Sequence, residues 1–219
     1  MQINDLIKGN KKFREARFSK YETDLKQLSK DGQNPDILFI GCSDSRVTPE
    51  LVLDTKPGDM FTLRNVGNFV PPYNPDNDYH GSSAVIEYAV CVLGVKHIIV
   101  CGHSHCGACK SLYQDLGDSP DLINIKKWLE LGKKAKEYTL LATIDKENKE
   151  QLYRTTEKVS IVYQMENLLT FPYIVKKIKD GELQIHGWYY RIENGTIEFY
   201  DGSDCTFKPL EEFRNEFTN

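Results

Sequence analysis

The sequence has no long Ser/Gly/Pro-rich linker, no internal repeat and no low-complexity tract. Its 219 residues are therefore expected to form a single domain with a sizeable core. It also lacks a basic run or a stripe of interleaved basic and aromatic residues. With both signs of charge interspersed and a net charge of −4, that argues against nucleic acid as the main partner. From Met1 to Lys20 there is no apolar run of the kind that forms a secretory leader, and no later segment is long enough to span a bilayer. A cytoplasmic protein without a membrane partner is the expectation. Cysteine is sparse as well. Six thiols (Cys42, Cys91, Cys101, Cys106, Cys109 and Cys205) in a chain this long suit free cysteines and metal ligands better than a disulfide scaffold. Cys91 and Cys101 lie inside apolar runs and read as core residues.

What is present is an alternation of strand and helix signals. Residues 3–30 carry sparse apolar positions at helical spacing, an amphipathic arm with too little apolar surface for a core of its own. Strands are expected at 36–40, 60–64, 97–101 and 183–190, with a partner at 195–200 joined through Asn194-Gly195, a strong hairpin signal. Residues 69–79 hold three prolines and read as an irregular loop. The segment 84–93, stopped by Gly94, is apolar nearly all round and is expected to be a buried helix. Further helices are expected over 50–53, 107–116, a long charged region reaching 168 with a break near Asp145, and 174–179. The fold class that follows is α/β: a mainly parallel sheet with an antiparallel edge strand, flanked by helices.

Two of the strands end alike. Ile37-Leu38-Phe39-Ile40-Gly41 runs into Cys42-Ser43-Asp44-Ser45-Arg46, and Ile98-Ile99-Val100-Cys101-Gly102 runs into His103-Ser104-His105-Cys106-Gly107. Open α/β sheets bind ligands at the carboxyl ends of their strands. If these two strands are neighbours, Cys42, His103 and Cys106 converge, and a thiolate–imidazole–thiolate set is chemistry for zinc with one position left open. Asp44 could fill that position as a fourth ligand, or accept a hydrogen bond from the metal's water and orient it. Arg46 is spaced to clamp Asp44 in a charge-assisted pair, which favours the acceptor role. An open zinc site lowers the pKa of its water to about 7. Cys106 and Cys109 also form a C-x-x-C after a strand, the pattern of a thiol redox pair. A closed, non-catalytic zinc site is a third reading. Among the histidines, His80 and His105 are candidates to carry a proton, while His97 and His186 lie in strands and read as structural.

Taken together, Cys42–Arg46 and Gly102-His103-x-x-Cys106-Gly107 resemble the signature of the β-class carbonic anhydrases. The resemblance extends through Pro57–Asn68, Ser83–Val90, Asn167–Pro172 and Ile185–Tyr190. It implies that Cys42, His103 and Cys106 bind one zinc ion, and that Asp44 and Arg46 form an orienting catalytic dyad. It also implies that Gln33, Phe61, Val66, Tyr88 and Gly107 line a substrate pocket between two subunits. The activity implied is reversible hydration of carbon dioxide to bicarbonate and a proton by attack of zinc-bound hydroxide. Relatives hydrolysing carbon disulfide or carbonyl sulfide share the zinc set. The assembly implied is a homodimer or higher homo-oligomer, with residues 1–32 as a dimerisation arm, 33–200 as the zinc-binding core and 201–219 as a C-terminal extension. One subtype lets its Asp close on zinc, aided by bicarbonate at a Trp/Arg/Tyr site. Here Phe39 stands at the Trp position, although Arg64 and Tyr190 are present, so the resemblance implies the open subtype.

Overall fold

A computed structural model of the chain describes residues 1–76 and 78–214. Parts of the expected loop (residue 77) and of the expected C-terminal extension (residues 215–219) lie outside the described residues. The framework is a six-stranded sheet in the order β2-β1-β3-β4-β5-β6, formed by β1 (Ile37–Cys42), β2 (Met60–Asn65), β3 (His97–His103), β4 (Gln184–Tyr190), β5 (Ile197–Asp201) and β6 (Thr206–Pro209). The first four strands are parallel; β5 pairs antiparallel with β4, and β6 pairs antiparallel with β5. Both central strands, β1 and β3, are continuous apolar runs buried along almost their whole length, as strands covered on both faces must be. Mixed β2 takes one edge. The other edge is β6, whose Lys208 and terminal Pro209 discourage further pairing. The expected antiparallel strand is β5, and the stretch expected as an extension adds one more edge strand, β6, beyond it.

The arm consists of α1 (Ile3–Ala16) and α2 (Glu22–Asp31), and neither helix contains a fully buried residue. Further on come the short α3 (Pro49–Val52) and α4 (Gly81–Glu87), the latter continued by a π-helical turn over Tyr88–Leu93 that Gly94 ends in the left-handed region at φ +69°. α5 (Gly107–Ser111) is shorter than its sequence pattern suggests. α6 (Ile123–Leu129) and α7 (Lys133–Ala142) lead to the break near Asp145, and α8 (Lys149–Leu168) and α9 (Pro172–Lys179) follow.

Two expectations for α4 and its extension need correction. Ile86, Ala89 and Val90 are buried, but Tyr88, Cys91 and Val92 are exposed, Val92 by 64%. An all-apolar helix reads as buried only if something covers both faces, and within this chain one face is uncovered. Cys91 is accordingly not a core residue, whereas Cys101 is.

The 20-residue α8 lies across β3 and β4, and its inward face is partly polar. Ile161 and Leu168 enter the main core. Gln164 Oε1 accepts the Val70 N–H at 2.7 Å, and Asn167 Nδ2 donates to the Val70 carbonyl at 2.8 Å. These bonds tie the loop after β2 to the helix and satisfy backbone groups that the sheet leaves unpaired.

Candidate metal centre

The convergence expected from the two strand ends occurs because β1 and β3 are adjacent and parallel, with Gly41 opposite Cys101. Cys42 Sγ, a ring nitrogen of His103 and Cys106 Sγ lie within 4.8 Å of one another, and all three residues are buried. Each ligand candidate is held from behind. Cys42 Sγ accepts the N–H groups of Asp44 and Gly67, each at 3.4 Å. Gly67 must be glycine here: its φ is +82°, and a Cβ would lie 2.8 Å from the Ala108 Cβ. His103 Nδ1 sits 2.8 Å from the Ser104 carbonyl, the geometry of an Nδ1–H donor, which leaves the Nε2 lone pair free. That Nε2 is buried with no hydrogen-bond partner among the described residues. A buried, unsatisfied nitrogen beside two buried sulfurs is what a metal ligand set leaves when only protein atoms are counted.

Proton chemistry points the same way. The hydrogen bond to Cys106, followed by burial, pushes the Cys42 thiol up to about 12. Its hydrogen bond with Cys109 first, then burial, raises Cys106 well above the usual thiol range. Two neighbouring buried thiols do not ionise unaided, and a divalent cation is what replaces both protons. The redox reading fares poorly here, because a nucleophilic C-x-x-C cysteine is exposed and lowered, whereas Cys106 and Cys109 are buried.

Asp44 is not among the clustered ligand atoms, and its carboxylate is taken up by Arg46. Its Oδ1 accepts Arg46 Nε at 2.9 Å and the Arg46 N–H at 3.0 Å, and its Oδ2 accepts Arg46 Nη2 at 2.7 Å. This two-pronged pair holds the Asp44 carboxyl well below the usual carboxylate range. Arg46 Nη2 also donates to the His105 carbonyl at 3.0 Å, joining the β1 and β3 turns, and His105 itself takes a left-handed φ of +58°. From β2, Arg64 donates to the Cys42 carbonyl at 2.9 Å and the Asp44 carbonyl at 2.8 Å, fixing the path of the first turn.

A family model described as "Carbonic anhydrase" matches residues 37–197. A carbonic anhydrase of Synechocystis is 43% identical over 200 residues, covering 90% of this chain and 70% of that one. One of Pseudomonas aeruginosa is 36% identical over 210 residues, covering 96% and 93%. Among solved structures, the β-carbonic anhydrase CcaA superposes with a TM-score of 0.87 at 40% identity, covering 94% of this chain and 98% of that one. The chain belongs to the β-class carbonic anhydrases. It is a carbonate dehydratase, and the Cys42–His103–Cys106 cluster lies at the strand ends of this β-carbonic anhydrase fold. A tetrameric β-carbonic anhydrase from Sordaria macrospora superposes with a TM-score of 0.69 at 32% identity, covering 90% and 92%.

Of the other positions singled out in the sequence, Phe61 and Tyr88 stack with ring centroids 5.7 Å apart. Val66 and Tyr88 are exposed, and Val66 offers its carbonyl to Trp128 Nε1 at 2.7 Å. Gln33 and Gly107 are exposed. His80 is held by Asp76 at 2.6 Å, His105 Nε2 lies 4.0 Å from Glu193, and His97 faces His186 at 3.1 Å.

The residue beside the metal cluster that carries no sequence signal is Glu157. It sits at 2% exposure in α8, where Oε1 accepts the Cys106 N–H at 2.9 Å and Oε2 accepts the Tyr189 hydroxyl at 2.8 Å. Burial pushes its carboxyl up to about 7 against the opposing pull of Arg154. Nothing in the charged run of α8 distinguishes Glu157 from its solvated neighbours, since its contact with the Cys106 amide depends on the register of α8 against β3.

Proposed function

We propose that Cys42 Sγ, His103 Nε2 and Cys106 Sγ hold one zinc ion and that the enzyme hydrates carbon dioxide reversibly, giving bicarbonate and a proton. Zinc supplies Lewis acidity and lowers the pKa of a coordinated water to about 7. The observation that carries the reading is the pairing of a three-ligand cluster with an Asp44 that Arg46 keeps out of it. Held as an ionised acceptor, Asp44 takes a hydrogen bond from the attacking water and sets the direction of its lone pair. Phe61, Val66 and Tyr88 form apolar walls for a substrate without charge, Gly107 leaves room at the start of α5, and Gln33 donates to the developing carboxylate oxygen.

The open subtype is supported around Phe39. Arg64 is occupied by the Cys42 and Asp44 carbonyls, and the free space among Phe39, Val47, Cys101 and Tyr190 is about 10 Å³. That volume is too small for a bicarbonate ion beside Phe39. A second copy of the chain completes the enzyme in this reading. Residues 1–32, the proposed dimerisation arm, contain no fully buried residue, although Leu28 packs beside Gly58, and Ile3, Leu6 and Ile7 are exposed together with Tyr88 and Val92. Apolar surface of this kind marks an interface, and Gln33 at the end of the arm would join a pocket shared by two subunits. The proposed location is the cytoplasm, where six free thiols stay reduced.

The test is stopped-flow carbon dioxide hydration on protein of measured zinc content, with His103→Ala alongside. Rate should scale with zinc, and His103→Ala should lose both. Zinc-replete wild type that fails to hydrate carbon dioxide at pH 8 contradicts the reading.

A further inference from the structure

The turn after β2 reaches the metal cluster from outside the two ligand-bearing strands. Between Asn65 and Phe69 it takes two left-handed residues in succession, Gly67 at φ +82° and Asn68 at φ +49°. A non-glycine residue in that region is uncommon and persists where its surroundings fix it. Here both ends of the turn are fixed. The Asn65 side chain clamps one end, accepting the Phe69 N–H at 2.9 Å and donating to the Phe69 carbonyl at 2.8 Å. Trp128 of α6, 62 residues away in sequence, holds the other: its Nε1–H donates to the Val66 carbonyl at 2.7 Å.

That carbonyl and the Gly67 N–H are the two ends of a single planar peptide. The N–H end is the one whose hydrogen bond Cys42 Sγ accepts at 3.4 Å. Trp128 and Cys42 are therefore joined through one rigid unit, indole N–H to carbonyl oxygen on one side and amide N–H to sulfur on the other. Planarity has a geometric consequence: rotating the carbonyl away from Trp128 rotates the N–H away from Cys42. The chain also has an electronic consequence. Linked hydrogen bonds polarise one another, so donation to the oxygen makes the N–H a stronger donor to the sulfur. Hydrogen bonds to a ligand sulfur draw charge from the thiolate and tune the metal it holds. Trp128 is seated for this part, half-buried and packed with Ile125 against the buried group that includes Cys42, Phe69 and Cys106. An indole has one N–H donor and no acceptor, and the Val66 carbonyl takes it.

We infer that Trp128 is a positioning residue for the metal centre, setting the direction and strength of the Gly67 N–H bond to Cys42 Sγ through the Val66–Gly67 peptide. The inference rests on the reading of Cys42 as a zinc ligand, which the first arm of the test isolates.

Zinc affinity of the full chain is measured by chelator competition, and cobalt(II) is then loaded in place of zinc to read the cysteine-to-cobalt charge-transfer absorption. In the first arm, Cys42→Ala should bind zinc far more weakly than wild type. A Cys42→Ala protein that binds zinc like wild type contradicts the ligand set, and this proposal with it. In the second arm two replacements remove the indole N–H: Trp128→Phe, and benzothienylalanine at position 128, which keeps the fused ring and exchanges only the N–H for sulfur. Each should weaken zinc binding by about three- to tenfold, the worth of one hydrogen bond. Each should also move the charge-transfer band to longer wavelength, as the Cys42 sulfur regains charge. Ile125→Ala loosens the packing of the same helix and leaves the indole N–H in place. It should lower stability to urea without moving the band. With Cys42 established as a ligand, an unmoved band in the benzothienylalanine protein overturns the proposal, whatever its zinc affinity. An equal band shift in Ile125→Ala would make Trp128 a packing residue only and overturns it too.

Discussion

Gly102 is the residue on which the seating of α8 against the metal-bearing strand can be measured. It directly precedes His103, and a Cβ at this position would lie 2.7 Å from Ile161 Cγ1 and 2.8 Å from Ile161 Cδ1, with the Glu157 carbonyl oxygen at 3.6 Å. Ile161 is fully buried in the main core and has no open space to turn into. Overpacking of this kind costs about 1–3 kcal/mol. Against it stands the entropy that alanine removes from the unfolded chain, worth roughly 0.4–1 kcal/mol in the opposite direction. The clash outweighs that gain, so Gly102→Ala should destabilise the protein by about 1–2 kcal/mol. Ile161→Ala alone should lose about 2–5 kcal/mol through its cavity. The double variant should lose less than the sum, by about 1–2 kcal/mol, because the new methyl enters the space the isoleucine vacates. Urea denaturation at saturating zinc, with equal slopes for all four proteins, reads these differences. A Gly102→Ala protein as stable as wild type, or a cycle additive within about 0.5 kcal/mol, would refute this packing of α8 on β3.

Two further perturbations probe the site and the sheet edge. Arg46→Gln removes the two-pronged partner of Asp44 and should lower kcat/KM for carbon dioxide by about tenfold to a hundredfold, the worth of charge-assisted bonds, in the stopped-flow assay; an unchanged value would separate Arg46 from the chemistry. His186 is pushed down to about 4 by burial and then by neighbouring His97. The unfolded chain therefore takes up this proton near pH 6.5 and the folded chain does not, so stability should fall by up to about 3 kcal/mol between pH 6.5 and 4 and level off below. The fall should be smaller in His186→Gln when the two are unfolded in parallel across that range, and equal slopes would contradict the burial of a neutral His186.

The parts of the fold legible in sequence were those with local causes. Continuous apolar runs identified β1 and β3, and glycine or asparagine-glycine punctuation placed the end of the α4 segment and the β4–β5 hairpin, where Gly195 takes a φ of +80°. The site was legible because Cys42 and His103 are strand-terminal, so the adjacency of two parallel strands brings them together without knowledge of the loops. The Asp44–Arg46 pair is local too, two residues apart on one turn. What escaped depends on surfaces brought together over long sequence distance. Cys91, Tyr88 and Val92 share an apolar helix with Ile86 and Val90, and only the packing decides which of them faces the core. Glu157 and Arg154 sit in a charged helix whose register on the sheet sends one carboxylate to the Cys106 amide. β6 is four residues of mixed character, recognisable once β5 offers it a partner.

The most direct test of the open zinc site is the rate of carbon dioxide hydration by zinc-quantified protein from pH 6.5 to 9. With Asp44 held by Arg46, the rate should rise smoothly through about pH 7 to 8, as one water ionises. A steep, cooperative loss of rate on lowering the pH, with Asp44 then found on the metal, would mean that the Asp44–Arg46 pair opens and the site closes, contradicting an open zinc site.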